Sequence, residues 1–328
     1  VALTGWYRIA DPFGRPREVP VLGPVLLAAA GSERVRRLVS STPLTRPVVD
    51  RFVAGEELPD ALDASRTLLS QGLTVTLDRL GESVTDPLQA IRNRDGYLEL
   101  VDELAAAGVA ERAELSVKLS AFGQALPDGH DIAHRNVARV VAAAAAAGTA
   151  VTLDMEDHTT VDSTLAVHEA LRAEHPETGA VLQSYLFRTE DDARRLAATG
   201  ARVRLVKGAY REPAEVAFQR KVEVDLAYVR CLRLLMTGEG YPMVATHDPR
   251  LVAVAEELAK RGGRAFDAYE FQMLYGIRDA EQRRLAAQGH RVRVYVPYGG
   301  DWYGYFMRRL AERPANLAFF ARSLATRN

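Results

Sequence analysis

Three observations predict a (β/α)8 barrel, a TIM-like α/β fold, for the larger part of this chain. From Gly72 onward, short β-branched or aliphatic runs alternate with longer stretches whose apolar residues recur at helical spacing. Eight such strand-then-helix units fit into roughly 250 residues, the length this architecture needs. The alternative for an alternating pattern is a doubly wound open sheet. That fold usually carries a G-x-G-x-x-G turn after an early strand, and no such turn occurs here.

Residues 1–70 read differently. TGWYRIADPFGRPREVPVLGP is rich in Pro and Gly, and PDALDASRTLL (59–69) has helical spacing. The segment is therefore predicted to be irregular, then helical, an arm packed on a main domain of residues 71–328. The predicted strands are LTVTLD (73–78), ELSVKLS (114–120), AVTLDME (150–156), AVLQSYL (180–186), VRLVKGA (203–209), YPMVATHD (241–248), AYEFQML (268–274) and RVRVYVPY (291–298). Between them, PLQAIRNRDGYLELVDELAAAG and TEDDARRLAATG have periodic apolar positions and end in glycine, as helices do. Asp248-Pro249 supplies an N-cap and a first-turn proline for a helix ending near Arg261. After the eighth strand the chain turns at Gly299-Gly300. A helix follows with Asp301 as N-cap, and its aromatic content predicts packing over the barrel mouth.

Composition narrows the function classes. Over 328 residues, 48% hydrophobic and 26% charged content is ordinary for a globular protein, and a net charge of −1 gives no reason to expect nucleic-acid binding. The single cysteine, Cys231, excludes an intramolecular disulfide and reads as a small buried hydrophobe in a reducing, cytoplasmic compartment. No secretory signal is visible after Val1, and no apolar run reaches the ~18 residues that span a bilayer. Lysine is scarce: only Lys118, Lys207, Lys221 and Lys260 occur. Two of these four fall in predicted apolar strands, where an isolated cation is costly and has to be paired or used.

Barrel chemistry is built at the C-terminal ends of the strands, and here those ends are polar. The positions are Asp78; Lys118 and Ser120; Asp154 and Glu156; Gln183 and Tyr185; Arg204 and Lys207; Thr246 and His247; Glu270 and Gln272; Tyr295 and Tyr298. Strand alternation puts Ser116, Lys118 and Ser120 on one face, and Thr152, Asp154 and Glu156 on one face. Lys118 and Asp154 can thus pair across the barrel interior, as a site or simply as a buried ion pair. Arg204 and Lys207 differ in parity, so they share the mouth only if the strand ends or bulges near Val206, which Gly208 allows. The run DMEDH (154–158) reads either as a loop and helix start or as an oxygen-rich metal site. Lys118 or Lys207 could also serve as a Schiff-base nucleophile, and a binding protein for a small anion is a third alternative. In the last helix, Tyr305 and Arg309 share a face, with Arg308 about 100° around it. Two adjacent guanidinium groups can straddle one carboxylate.

Taken in order, KLSAFG, TLDMED, LQSY, RLVKGAY, ATHDP, YEFQMLYG and YVPYGGDWYGYFMRRLAERPAN resemble the proline dehydrogenase family from about Gly72 to Asn316. The resemblance implies a barrel with non-covalent FAD that oxidises L-proline to Δ1-pyrroline-5-carboxylate. It implies Lys118 and Asp154 beside the substrate, Arg308 and Arg309 on its carboxylate, and Leu274, Tyr295 and Tyr305 around its ring. Met155, Gln183, Arg204, Lys207, Gly208, Ala209, Thr246 and His247 would line FAD, with Arg204 nearest its reactive edge and, like Asp154, in a catalytic role. It further implies a membrane quinone as acceptor, reached by peripheral contact. The compact Gly-Gly-Asp-Trp stretch and the chain's length match monofunctional relatives, so a separate pyrroline-5-carboxylate dehydrogenase would act next.

Overall fold

A computed structural model of the chain describes residues 7–10, 16–19, 46–81 and 84–312. Two compact units are present, residues 54–299 and residues 1–53 together with 300–328. The first contains a closed, all-parallel barrel. Its strands are β1 (Thr74–Arg79), β2 (Ala113–Val117), β3 (Ala150–Leu153), β4 (Gly179–Gln183), β5 (Arg202–Val206), β6 (Tyr241–Ala245), β7 (Glu270–Leu274) and β8 (Val292–Tyr298). They are ordered sequentially, and β8 closes on β1 with Val294 opposite Val75 and Val296 opposite Leu77.

All eight predicted strands are present, with one systematic difference at their ends. The second to sixth were predicted to end at residues 120, 156, 186, 209 and 248, and each ladder stops three residues earlier. The backbone leaves the ladder there for turns. Lys118 opens a 3-10 turn over Leu119–Phe122, and Gly208 takes φ +122°, a conformation that glycine alone adopts at low cost. Lys118, Asp154, Lys207, Thr246 and His247 therefore stand on loops just beyond the strands.

Two layers of side chains result from the alternation. Val75, Leu77, Leu115, Val117, Leu153, Val203, Leu205, Phe271, Val294 and Val296 are fully buried in the apolar cluster that also holds Leu100, Leu104, Val137, Val140 and Leu171 of the surrounding helices. Their alternate neighbours face inward and are mostly polar. The helix Leu58–Ser70 precedes β1, as PDALDASRTLL predicts. Cys231 is buried, and burial raises its thiol pKa to about 12, which keeps it protonated. Asp248 caps Pro249–Gly262 by accepting from the Arg250 N–H, and Gly263 ends that helix in the left-handed region.

Within residues 1–53, Tyr7–Ala10 pairs antiparallel with Pro16–Val19. The Pro and Gly content of this stretch predicts irregular structure, but the β-formers Tyr7, Ile9 and Val19 prevail in the paired segments. Most of the predicted arm, residues 1–6, 11–15 and 20–45, lies outside the described residues. The same compact unit holds the helix Trp302–Glu312, which starts directly after Asp301. Phe306 is fully buried there, its ring 5.8 Å from Trp302 and 6.4 Å from Phe52.

One arginine closes the lower edge of the barrel between β6 and β7. The guanidinium of Arg264 donates to the carbonyls of Met236, Gly240, Ala268 and Gly238 at 3.0, 2.9, 3.0 and 2.5 Å. It thereby satisfies carbonyls left open where the helix Lys221–Thr237 ends. Arg264→Met is expected to destabilise the protein by about 2–4 kcal/mol, several charge-assisted hydrogen bonds being lost together. Urea unfolding at pH 7 measures this, and a change under about 0.5 kcal/mol, the size of an ordinary surface substitution, would show the bonds to be dispensable.

Candidate active site

The inward faces of β2, β5, β7 and β8 carry Glu114 and Ser116, Arg202 and Arg204, Glu270 and Gln272, and Arg293 and Tyr295. They stack in tiers along the barrel axis. On the floor, Arg293 holds Glu270 through two bonds of 2.7 and 3.1 Å, and Arg202 holds Glu114 at 3.0 Å. The Arg202 guanidinium also lies 4.7 Å from the Tyr241 ring centre. In the middle tier, Arg204 Nε donates to Gln272 at 2.6 Å and Nη2 donates to Glu114 at 3.0 Å. Arg204 Nη1 reaches both Ser116 and Asp154 at 2.7 Å. At the upper, C-terminal end, Lys118 Nζ binds Asp78 at 2.8 Å and lies 3.6 Å from Asp154. Tyr295 donates its hydroxyl to Asp154 at 2.8 Å. The four bases Lys118, Arg202, Arg204 and Arg293 thus face the four acids Asp78, Glu114, Asp154 and Glu270.

These contacts split the two upper carboxylates. Burial works against ionisation of Asp154, but the charges of Arg204 and Lys118, with hydrogen bonds from Tyr295 and Ser116, outweigh it and hold its pKa below the ordinary value. Burial pushes Asp78 the other way, because Lys118 offsets it only in part and Asp154 repels it. Burial and the two carboxylates raise Tyr295 far above its usual range, so it stays a hydrogen-bond donor. For Arg204, burial is overridden by Asp154 and Glu114, and it remains a cation. The predicted Lys118–Asp154 pair therefore exists only as the longer of two contacts. Asp78 is the closer partner of Lys118, and Arg204 is the closer partner of Asp154.

The loops after β3 to β6 carry the other predicted residues. Met155 is buried, and Gln183 donates to the Glu156 carbonyl at 2.7 Å. The Thr246 hydroxyl accepts from the Asp248 N–H at 3.1 Å. His247 Nε2 accepts from the Leu274 N–H at 2.9 Å, which places the proton of a neutral ring on Nδ1 and joins the β6 loop to the end of β7. Gly208 passes directly over Tyr185, and a Cβ there would stand 2.4 Å from the ring. The strand β5 does end at Val206, as a shared mouth for Arg204 and Lys207 requires. Even so, Lys207 Nζ reaches outward to Asp225 at 2.5 Å and Asp248 at 3.5 Å. Tyr305, Arg308 and Arg309 stand on Trp302–Glu312 in the other compact unit, where the Arg309 guanidinium lies 5.0 Å from the Tyr305 ring centre.

The DMEDH run disperses. Asp154 enters the barrel, and Glu156 accepts from the Ser120 N–H and hydroxyl at 3.0 and 2.6 Å. Asp157 caps the turn His158–Thr160, while the His158 ring meets Glu212. Among the described residues, no three His, Cys, Asp or Glu side chains converge as metal ligands do. A Schiff-base nucleophile has to be a deprotonated amine, whereas Lys118 and Lys207 each face two carboxylates. Sequence reasoning missed Glu114, Arg293 and Glu212. The first two were legible, since Glu114 shares the parity of Ser116 and Lys118, and Arg293 that of Tyr295. No local pattern marks Glu212, whose partners Tyr185 and His158 are distant in sequence.

Comparison with known proteins adds independent weight. The family described as "Proline dehydrogenase" matches this chain over residues 61–322. A protein named proline dehydrogenase from Deinococcus radiodurans is 43% identical over 282 residues, 84% of this chain and 90% of the relative. The chain belongs to the proline dehydrogenase family. Proline dehydrogenase 2 of Bacillus subtilis is 38% identical over 275 residues, with 84% and 89% of the two chains covered. Among solved structures, proline utilization A from Bdellovibrio bacteriovorus superposes with a TM-score of 0.76 at 24% identity, over 90% of this chain and 39% of that longer one. That likeness supports the barrel fold. As a member of the family the chain is an oxidoreductase, and the barrel with its polar C-terminal end is where such chemistry belongs. Among the described residues, no helix is long and apolar enough to cross a membrane.

The floor of the site has a pH signature. Glu270 is held at about 2, against burial, by Arg293. A carboxylate depressed in the native state binds fewer protons there than in the unfolded chain, so it stabilises above its unfolded pKa and that share is lost as pH falls toward 2. Glu270→Gln is expected to cost about 3–5 kcal/mol at pH 7, because Arg293 loses its closest partner. It should also flatten the decline in stability between pH 5 and 3. Urea unfolding at several pH values checks both, and a variant that keeps the wild-type pH slope would contradict the assignment.

Proposed function

We propose that this barrel oxidises L-proline to Δ1-pyrroline-5-carboxylate with non-covalently bound FAD, and passes the electrons to a quinone-type acceptor. The observation that carries the reading is the ion-paired cluster of Lys118, Asp154, Arg204 and Tyr295 at the C-terminal end of a barrel of this family. The residues present suit a flavin. Gln183, Arg204, Thr246 and His247 are donors and acceptors grouped on three successive strand ends or loops, Met155 gives an apolar surface, and Lys207-Gly208-Ala209 offers backbone held in place by the Tyr185 ring. FAD, when bound, supplies the acceptor for the two electrons and the hydrogen taken from the ring carbon beside nitrogen.

The chain's own residues would bind, orient and exclude water. Arg308 and Arg309 would hold the carboxylate, two guanidinium groups matching one planar anion. Leu274 and Tyr295 would line the ring and restrict it to a reacting position. Lys118 would stand beside the substrate, fixed by Asp78 and Asp154. Asp154, held ionised, would favour the charged imino acid on arrival and position Tyr295 through its hydroxyl. Arg204 would put positive charge where the negative charge of reduction develops. The side chain of Lys207 is engaged by Asp225 and Asp248, so its share of the site would come from its backbone. In this reading the enzyme is cytoplasmic and touches the membrane surface to reach a quinone, and a separate dehydrogenase consumes the product.

The absorption spectrum of purified protein tests the cofactor. Flavin bands that bleach when L-proline is added without air are expected, and a colourless preparation that FAD cannot reconstitute would end the proposal. A second test concerns the carboxylate clamp. Replacing Arg308 and Arg309 together with Met is expected to leave FAD bound while raising the KM for proline at least about 100-fold, two charge-assisted contacts being lost. An unchanged KM would take the substrate away from the two arginines.

A further inference from the structure

Arg204 does not stand in the barrel with its charge uncompensated. Asp154 binds it from the mouth side at 2.7 Å, and Glu114 binds it from the floor side at 3.0 Å. Glu114 sits at the second residue of β2 and is 1% exposed. Its two oxygens are divided. Oε1 takes Arg204 and the Thr152 hydroxyl, while Oε2 takes Arg202 at 3.0 Å, with Arg293 at 3.5 Å. A buried carboxylate is costly unless its neighbours compensate it. A packed apolar residue would fill a barrel floor at less cost, so the charge at this position invites a functional explanation. The only acidic group touching Arg204 besides Asp154 is this one, among the described residues.

We propose that Glu114 is a positioning residue for the redox reaction. It orients the Arg204 guanidinium, and its charge, shared with Arg202, sets how much positive potential Arg204 presents toward the mouth. The proposal rests on the reading that FAD binds there. Its physical basis is Coulombic: in a low-dielectric interior, charges one or two residues removed from the reacting group still act on it. Neutralising position 114 leaves Arg204 less compensated and favours the more negative, reduced flavin. Removing Arg202 leaves Glu114 less neutralised and disfavours it. The two changes therefore move the flavin in opposite directions, although both disturb one network.

The experiment compares midpoint potentials and FAD content of wild type, Glu114→Gln and Arg202→Met. Glu114→Gln keeps an oxygen for Arg204 and is expected to shift the potential upward. Arg202→Met is expected to shift it downward. Each shift should correspond to about a tenfold change in the two-electron reduction equilibrium, about 30 mV. Simple loosening of the barrel would move both variants the same way, so shifts of one sign, or none at full FAD content, overturn the proposal. If Glu114→Gln does not fold, Arg202→Met decides alone: a downward shift supports the proposal, and an unchanged or raised potential overturns it. Wild-type protein that takes up no FAD sinks the cofactor reading and this proposal together. FAD-loaded variants that match the wild-type potential sink this proposal alone.

Discussion

A guanidinium enclosed in a barrel, Arg204, is the constraint on which the rest of this structure turns. It is 3% exposed and cannot be left without partners. Gln272, Ser116, Asp154 and Glu114 meet it from three other strands or their loops. Each brought-in acid then needs a partner of its own. Glu114 draws Arg202, Asp154 draws Tyr295 and Lys118, and Lys118 draws Asp78. The interior is therefore a chain of mutually dependent charges rather than an apolar plug.

That arrangement separates two tasks. The fold is held by the apolar layer between strands and helices, where both faces of a parallel sheet are normally covered. The inward layer is released from that duty and can be polar, because its charged groups are paired with one another. A densely paired network resists reorganisation, which is what a site that must stabilise developing charge requires. Asp78 and Asp154, two carboxylates on one lysine, are driven apart in acidity by their different neighbours. Such a split assigns different protonation behaviour to groups that look equivalent in sequence.

Around the mouth, loops are fixed by contacts that cross between units of the barrel. His247 ties the β6 loop to Leu274 through a backbone N–H, and Tyr185 lies under Gly208. Lys207 leans outward to Asp225 and Asp248, at the starts of two successive helices. Cations three residues apart on one segment thus do unlike work. Arg204 belongs to the interior and Lys207 to the rim.

The barrel itself was written in the sequence, because hydrophobic periodicity is a local property and each strand and helix declares it without reference to distant residues. On two strands the inward set followed from the same alternation, and it held for Ser116, Lys118, Thr152 and Asp154, whereas Ser120 and Glu156 of the same two sets bind each other on the loops beyond the strands. What the tertiary structure alone decided was which charge meets which. Lys118 prefers Asp78 over Asp154, and Arg204 takes Asp154 and Glu114. The four ligand-type residues of DMEDH separate into four different contacts. Strand ends, too, depended on pairing with neighbours and on turns such as the one at Gly208. Partner choice is a matter of distances across a closed barrel, and closure brings together residues 50 to 141 positions apart, as in Arg204–Asp154 and Tyr295–Asp154. No spacing along the chain encodes those distances.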